Sequence, residues 1–294
     1  MIGARERRLL AWRSMTQSGV QAVTFEREGL VWTVRTDSED IGLGTFMVGG
    51  YHREQMRALL AWMRRSGTLA GSRDVLIDAG ANIGTTCIPF VRETGCRALA
   101  IEPVADNFLN LKKNVESNFL SERILLAKKA VSRTPGSVRM CLTDVPGGHF
   151  VARDGKVATP GNPIARYEER YEDVEADTLT GIIASAKLSP GEIAIVWADV
   201  QGCELDVIET GRALWERGVP LWAEVEPRSL NLQGSLSAFA GAAAAHFDRF
   251  IDSRDLMRLG DKANPRPIGE LAGLIEGIKP EQVNTDILLL PPAF

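Results

Sequence analysis

From residue 74 onward, short apolar runs alternate with stretches of helical period. The runs at 74–79, 97–102, 123–131, 194–200 and 220–225 read as strands. Strands alternating with helices predict an α/β fold, a parallel sheet with helices on both faces. A last apolar run, TDILLLP at 285–291, reads as a buried strand that closes the sheet. Residues 1 to about 70 lack this alternation: 4–15 and 52–65 are helical in period, and VTFEREGLVWTVRT at 23–36 alternates. The pattern thus divides the chain into an N-terminal helical and strand cap, 1–70, and a larger α/β domain, 71–294. Within the latter, 143–174 is rich in Gly, Pro and charge and reads as a surface excursion over the loop end of the sheet, a lid or a plain insertion.

Open parallel sheets take ligands beyond the carboxyl ends of their strands. In DVLIDAGANIGTT, 74–86, a strand ends at Asp78 and turns through Gly80 and Gly84 into a helix. Glycine lets a ligand approach the backbone, and a helix start leaves N–H donors free. The three-glycine spacing of a dinucleotide site fails, because Asn82 and Thr85 stand where it needs glycine. Asp78, Asn82 and Thr85 instead suit the amino and carboxylate ends of a methionine moiety. The next strand ends at Glu102, whose carboxylate can accept hydrogen bonds from both hydroxyls of a ribose, and Pro103 then opens a helix. Taken together, these features predict an adenosyl cofactor.

The strings DAGANIGTT, AIEPVADNFLNLKKNV, ADVQGCELDVIETG and AEVEP, in that order, resemble the FkbM family of S-adenosylmethionine-dependent O-methyltransferases, from about residue 74 to the TDILLLP end. The resemblance implies a Rossmann-like seven-stranded methyltransferase sheet, mostly parallel with the last strand antiparallel, and S-adenosyl-L-methionine as cofactor. It also implies that Asp78, Gly80, Asn82 and Gly84 form the first cofactor motif, that Glu102 holds the ribose, and that Ala130 lies beside the adenine. The acceptor it implies is a hydroxyl of a sugar, glycan or secondary metabolite. Where family members commonly read Lys-Ile-Asp-Val-Glu-Gly, this chain reads WADVQG: Ala198 and Gln201 replace the lysine and glutamate, while Asp199, Gly202 and Glu204 remain. Those departures keep open a regulatory or assembly protein that binds the cofactor without catalysis. A nicotinamide-dependent dehydrogenase is a third reading, opposed by the failed glycine spacing.

Methyl transfer to an alcohol is an in-line displacement that needs alignment and removal of the acceptor proton. Asp199, at the end of the fourth strand, can position the cofactor's amino group or the acceptor, accept the proton, or cap the helix near Cys203. Of three histidines, His149 alone lies in the loop region over the site, beside Gly147 and Gly148, and is a candidate base or an ordinary loop residue. His52 and His246 fall in helical stretches and read as structural. Glu224 and Glu226 flank the end of the fifth strand, one expected to face the pocket and the other the helical layer; Glu226 joins His149 and Asp199 as a catalytic candidate. These carboxylates could supply oxygen ligands to Mg²⁺, no spaced His or Cys cluster supports a transition metal, and no metal is expected.

Composition narrows the partners. A formal net charge of −4 offers no positive potential for polyanions, which argues against nucleic acid. No segment has the apolar length of a signal peptide or a membrane span, and the four cysteines lack CxxC spacing. Both features predict a reduced, cytoplasmic setting; the oligomeric state is not indicated.

Overall fold

A computed structural model describes residues 3–69, 73–143, 147–152, 170–279 and 284–292. Near the N-terminus, β1 (Ala22–Arg27) and β2 (Leu30–Arg35) form an antiparallel hairpin. There follow β3 (Val75–Ala79), β4 (Arg97–Ile101), β5 (Ile124–Ala127), β6 (Ala130–Val131), β7 (Gly136–Leu142), β8 (Phe150–Val151) and β9 (Arg170–Asp177). The last five are β10 (Ile193–Ala198), β11 (Leu221–Val225), β12 (Arg249–Asp252), β13 (Arg266–Pro267) and β14 (Thr285–Leu290).

The main sheet has the order β13-β12-β14-β11-β10-β3-β4-β5. Strands β11, β10, β3, β4 and β5 run parallel, and β14 is antiparallel to both of its neighbours, β11 and β12. The α/β sheet with an antiparallel final strand is therefore present. It holds eight strands rather than seven because the two-residue β13 adds at one edge, where Pro267 needs no N–H for the ladder. The predicted strand at 123–131 breaks in two: β5 stays in the main sheet, while β6 leaves it to pair with β9 in a second sheet of order β6-β9-β7-β8.

The central strands are buried on both faces, so they read as nearly continuous apolar runs. Leu76, Ile195, Trp197, Trp222 and Leu288 face one layer, and Val75, Ile77, Val196, Ala198 and Ala223 face the other. The helix Arg53–Ser66 lays Met56, Leu59, Leu60 and Met63 in the first layer, where Trp197 stacks on Trp222. The free edge of β2 is covered by two side-chain amides one turn apart on the helix Ala105–Ser117. Asn114 accepts from the Thr33 N–H (2.7 Å) and donates to Thr33 O (3.2 Å); Asn118 accepts from the Val31 N–H (2.9 Å) and donates to Val31 O (2.7 Å). The amides thus stand in for a missing neighbouring strand. Asn114 also donates to Ile83 O (2.9 Å), tying the hairpin to the glycine turn. Among the described residues, no helix is long and apolar enough to cross a membrane.

Candidate active site

A cavity enclosing about 780 Å³ of non-atom space, part of it open solvent, lies beyond the carboxyl ends of β3, β4 and β10. It brings together Gly80, Asn82, Thr85, Glu102 and Pro103 with Ala130, His149 and Asp199. Asp78, Gly84 and Glu226 do not line it.

Both glycines of the turn have positive φ, +86° at Gly80 and +95° at Gly84. A Cβ on Gly80 would sit 1.8 Å from the Asp199 carbonyl oxygen, so this glycine is required by the crossing of the β3 and β10 exits as well as by any ligand. A Cβ on Gly84 would meet Ile88 Cδ1 at 2.6 Å, a packing constraint within the helix layer. Asp78 accepts from the Cys87 N–H (3.0 Å) at the start of the helix Cys87–Thr94. Burial lifts its pKa to about 7, and the Asp199 charge adds to the shift. The carboxylate offered by the sequence to a methionine moiety thus braces the helix start behind the cavity.

Glu102 is buried and takes the Asn82 N–H at Oε2 and the Val104 N–H at Oε1, each at 2.9 Å. Asn107 adds a side-chain hydrogen bond. Burial pushes the Glu102 pKa up to about 7 against these bonds. With three of a carboxylate's roughly four lone-pair sites engaged, about one remains for a ligand hydroxyl, where the sequence suggested two. The side chain clamps the glycine turn to the β4 exit.

At the β10 exit, Gln201 Nε2 donates to Asp199 Oδ1 (2.9 Å) and to Glu224 Oε2 (3.3 Å). A glutamine here separates two carboxylates with a donor, where the family's usual glutamate would place a third negative charge. The sequence reading set the family's lysine at Ala198, but counted position by position it falls at Trp197, which lines the cavity, while Ala198 stands at the isoleucine and is fully buried in the opposite core layer. Glu204 accepts from the Val200 N–H (3.0 Å) and the Gly202 N–H (3.3 Å), so it serves the turn that Asp199 was a candidate to cap. Glu224 and Glu226, two residues apart, share one side of the chain, and the Asp199 charge raises the pKa of each beyond the effect of burial. The expectation that they face opposite ways is corrected accordingly. Glu226 accepts from Ser229 Oγ in the first turn of the helix Pro227–Leu232, outside the cavity lining. Among the described residues, no group of three or more His, Cys, Asp or Glu is arranged to hold a metal ion.

His149 lines the cavity, but its Nδ1 accepts from the Thr143 N–H (3.1 Å). A neutral imidazole that accepts at Nδ1 carries its proton on Nε2, so it presents a donor to a ligand. Burial also holds its pKa down to about 4. These features fit a hydrogen-bond donor better than the expected base. Trp197 and His52 are among the lining residues missed by the sequence reading. Trp197 was legible, since it shares a strand face with Asp199 two positions on. His52 gave no local signal: it precedes the helix Arg53–Ser66 and reaches the cavity only through tertiary packing, its ring 5.6 Å from that of Trp197.

Burial raises Asp78, Glu102 and Asp286 to about 7 and Glu204 to about 8. The folded state therefore retains protons that the unfolded chain has released, and stability falls as pH rises through roughly 4 to 8. Below that window, Glu192, held down to about 2 by Arg97, loses its contribution on protonation. Scanning calorimetry of the ligand-free protein is expected to give a higher Tm near pH 5 than at pH 8; a Tm rising across that interval would contradict these burial shifts.

The Methyltransferase FkbM domain model matches residues 78–251, more than half of the chain. No curated protein matches it. Among solved structures, TYW2 of P. horikoshii in complex with MeSAdo is similar at 10% identity and a TM-score of 0.42, over 92% of this chain and 70% of that one. Geranyl diphosphate C-methyltransferase from Streptomyces coelicolor, with Mg²⁺, geranyl diphosphate and S-adenosyl-L-homocysteine, is similar at 11% identity and 0.40, over 83% and 82%. An O-methyltransferase from Bacillus cereus is similar at 8% identity and 0.40, over 81% and 80%. With its matched region opening at Asp78, where β3 enters the glycine turn, the chain belongs to the FkbM methyltransferase family and is an S-adenosylmethionine-dependent methyltransferase.

Proposed function

We propose that this enzyme methylates a hydroxyl group of a sugar, glycan or secondary metabolite. The acceptor class rests on the family resemblance, and the observation that supports methyl transfer is one cavity joining Ala130, Glu102, Gly80 and Asp199 along the strand ends. S-adenosylmethionine supplies a methyl group on a sulfonium, already a good leaving group. Ala130, Val131 and Met140 offer the adenine an apolar wall, Glu102 accepts from a ribose hydroxyl, and the Gly80–Asn82 turn receives the methionine end. Asp199, oriented by Gln201, positions the cofactor's amino group or the acceptor, and His149 donates from Nε2. Glu226, outside the cavity lining, has no role in this reading.

In this reading residues 1–70 act as a cap on the domain 71–294; of the excursion 143–174, which the sequence offers as a lid or a plain insertion, 144–146 and 153–169 lie outside the described residues, while 150–151 belong to β8 and 170–174 to β9. The net charge of −4 favours a small acceptor over nucleic acid, and four free cysteines favour a reduced cytoplasmic setting. The test is transfer of tritiated methyl from S-adenosylmethionine to a panel of monosaccharides, oligosaccharides and hydroxylated polyketides and phenols, with product NMR. An O-methyl ether is expected. Label on carbon or nitrogen would contradict the acceptor class, and cofactor binding with no transfer at all would favour a protein that has lost catalysis.

A further inference from the structure

Resting on that methyl-transfer reading, we propose that His52, contributed by the N-terminal segment, is the catalytic residue that takes the proton from the acceptor hydroxyl. The cavity has a direction. The strand order β10-β3-β4-β5 sets it: Ala130 follows β5, Glu102 follows β4, Gly80 follows β3 and Asp199 follows β10, where Trp197 and His52 line the same space. A cofactor with its ribose at Glu102 and its methionine end at Gly80 would direct its methyl toward Asp199 and His52. The acceptor oxygen must then lie on the side of the methyl away from the sulfur.

The His52 ring is fixed there, 4.9 Å edge-on from Tyr51 and 5.6 Å from Trp197. Its Nδ1 is sealed from solvent and has no hydrogen-bond partner among the described residues, which leaves Nε2 as the ring nitrogen open to a ligand. His149, the other histidine of the cavity, has its acceptor nitrogen engaged by the Thr143 N–H. Asp199 is the charged group felt by His52, whereas the adjacent Arg53 is paired with Glu28 (3.2 Å) and Glu93 (3.5 Å). Burial lowers the His52 pKa and Asp199 opposes the shift, so the imidazole is neutral near pH 7 and able to accept.

The step balances. The acceptor O–H bond breaks with its proton passing to His52 Nε2, the oxygen forms the new bond to the methyl carbon, and the C–S electron pair returns to sulfur. The positive charge thus moves from sulfonium to imidazolium, where Asp199 stabilises it, and the histidine then releases the proton to solvent.

The experiment compares the parent, His52→Ala and His52→Gln in the tritium assay, using the acceptor of that panel with the highest turnover, together with S-adenosylhomocysteine calorimetry and Tm. Both variants should lose about 10²- to 10⁴-fold in kcat. The Kd for S-adenosylhomocysteine should change less than about threefold, because the fold and cofactor end are untouched. Added imidazole should restore part of the His52→Ala rate, a rescue that a purely structural role would not give. Parental kcat in His52→Gln, or a loss confined to cofactor affinity, would overturn the proposal while leaving the methyl-transfer reading intact. A parent that binds S-adenosylhomocysteine but methylates no panel member would overturn that reading, and this proposal with it.

Discussion

Gly80→Val is expected to leave no measurable S-adenosylhomocysteine binding and a markedly lowered Tm. Valine disfavours φ near +86°, and any Cβ here would fall 1.8 Å from the Asp199 carbonyl oxygen. Backbone on that side cannot rotate away as a side chain can, so the β10 exit must shift, carrying Asp199 with it. The strain and repacking together cost on the order of 3 kcal/mol or more. Gly80→Ala separates the two reasons for glycine. If only ligand approach demanded it, alanine would bind poorly and lose no more than the left-handed strain at φ +86°, about 1 to 2 kcal/mol. If the strand crossing demands it, as the geometry indicates, alanine loses more than that strain and melts lower still, at about 2 to 4 °C per kcal/mol for a chain of this size class. A Gly80→Ala protein matching the parent in both measurements would refute the crossing argument.

Glu102→Ala is the second large effect. The substitution removes the acceptor for the Asn82 and Val104 N–H groups and leaves them beside a void. Each buried unpaired donor costs about 1 to 3 kcal/mol. A lower Tm is therefore expected, whereas the sequence alone suggested a simple ribose ligand whose loss would spare the fold. Affinity for S-adenosylhomocysteine should fall by about 1.5 to 3 kcal/mol, roughly 10- to 150-fold, for the lost charge-assisted bond. An unchanged calorimetric Kd in the folded variant would remove Glu102 from ligand contact and leave it only the clamp.

What was legible in the sequence was local. The strand, glycine turn and helix at 74–86 and the Glu102 strand end follow from period and spacing; Gly80, Asn82, Thr85 and Glu102 line the cavity, while Asp78 and Gly84 stand behind it. The β10 exit at Asp199 was equally visible, because a strand of period two feeding a turn has only one place for its terminal carboxylate. What was missed depended on distant chain. The two lysines at 128–129 look like any strand interior, yet the path leaves the main sheet there because β6 finds a partner in β9, far later in sequence. Nothing near Asn114 or Asn118 announces that their amides finish the edge of an N-terminal hairpin. His52 reads as a helical residue, and only the packing of its helix on the Trp197 face brings it to the site. The misreading of Glu224 and Glu226 was different in kind: their spacing of two already places them together.

The central claim is that the cavity at the carboxyl ends of β3, β4 and β10 holds an adenosyl cofactor with a methionine tail. Isothermal calorimetry of the unmodified protein against S-adenosylhomocysteine, with NAD run in parallel, tests it most directly. The account predicts saturable one-site binding of S-adenosylhomocysteine and no heat with NAD. Saturable NAD binding with none for S-adenosylhomocysteine would contradict it.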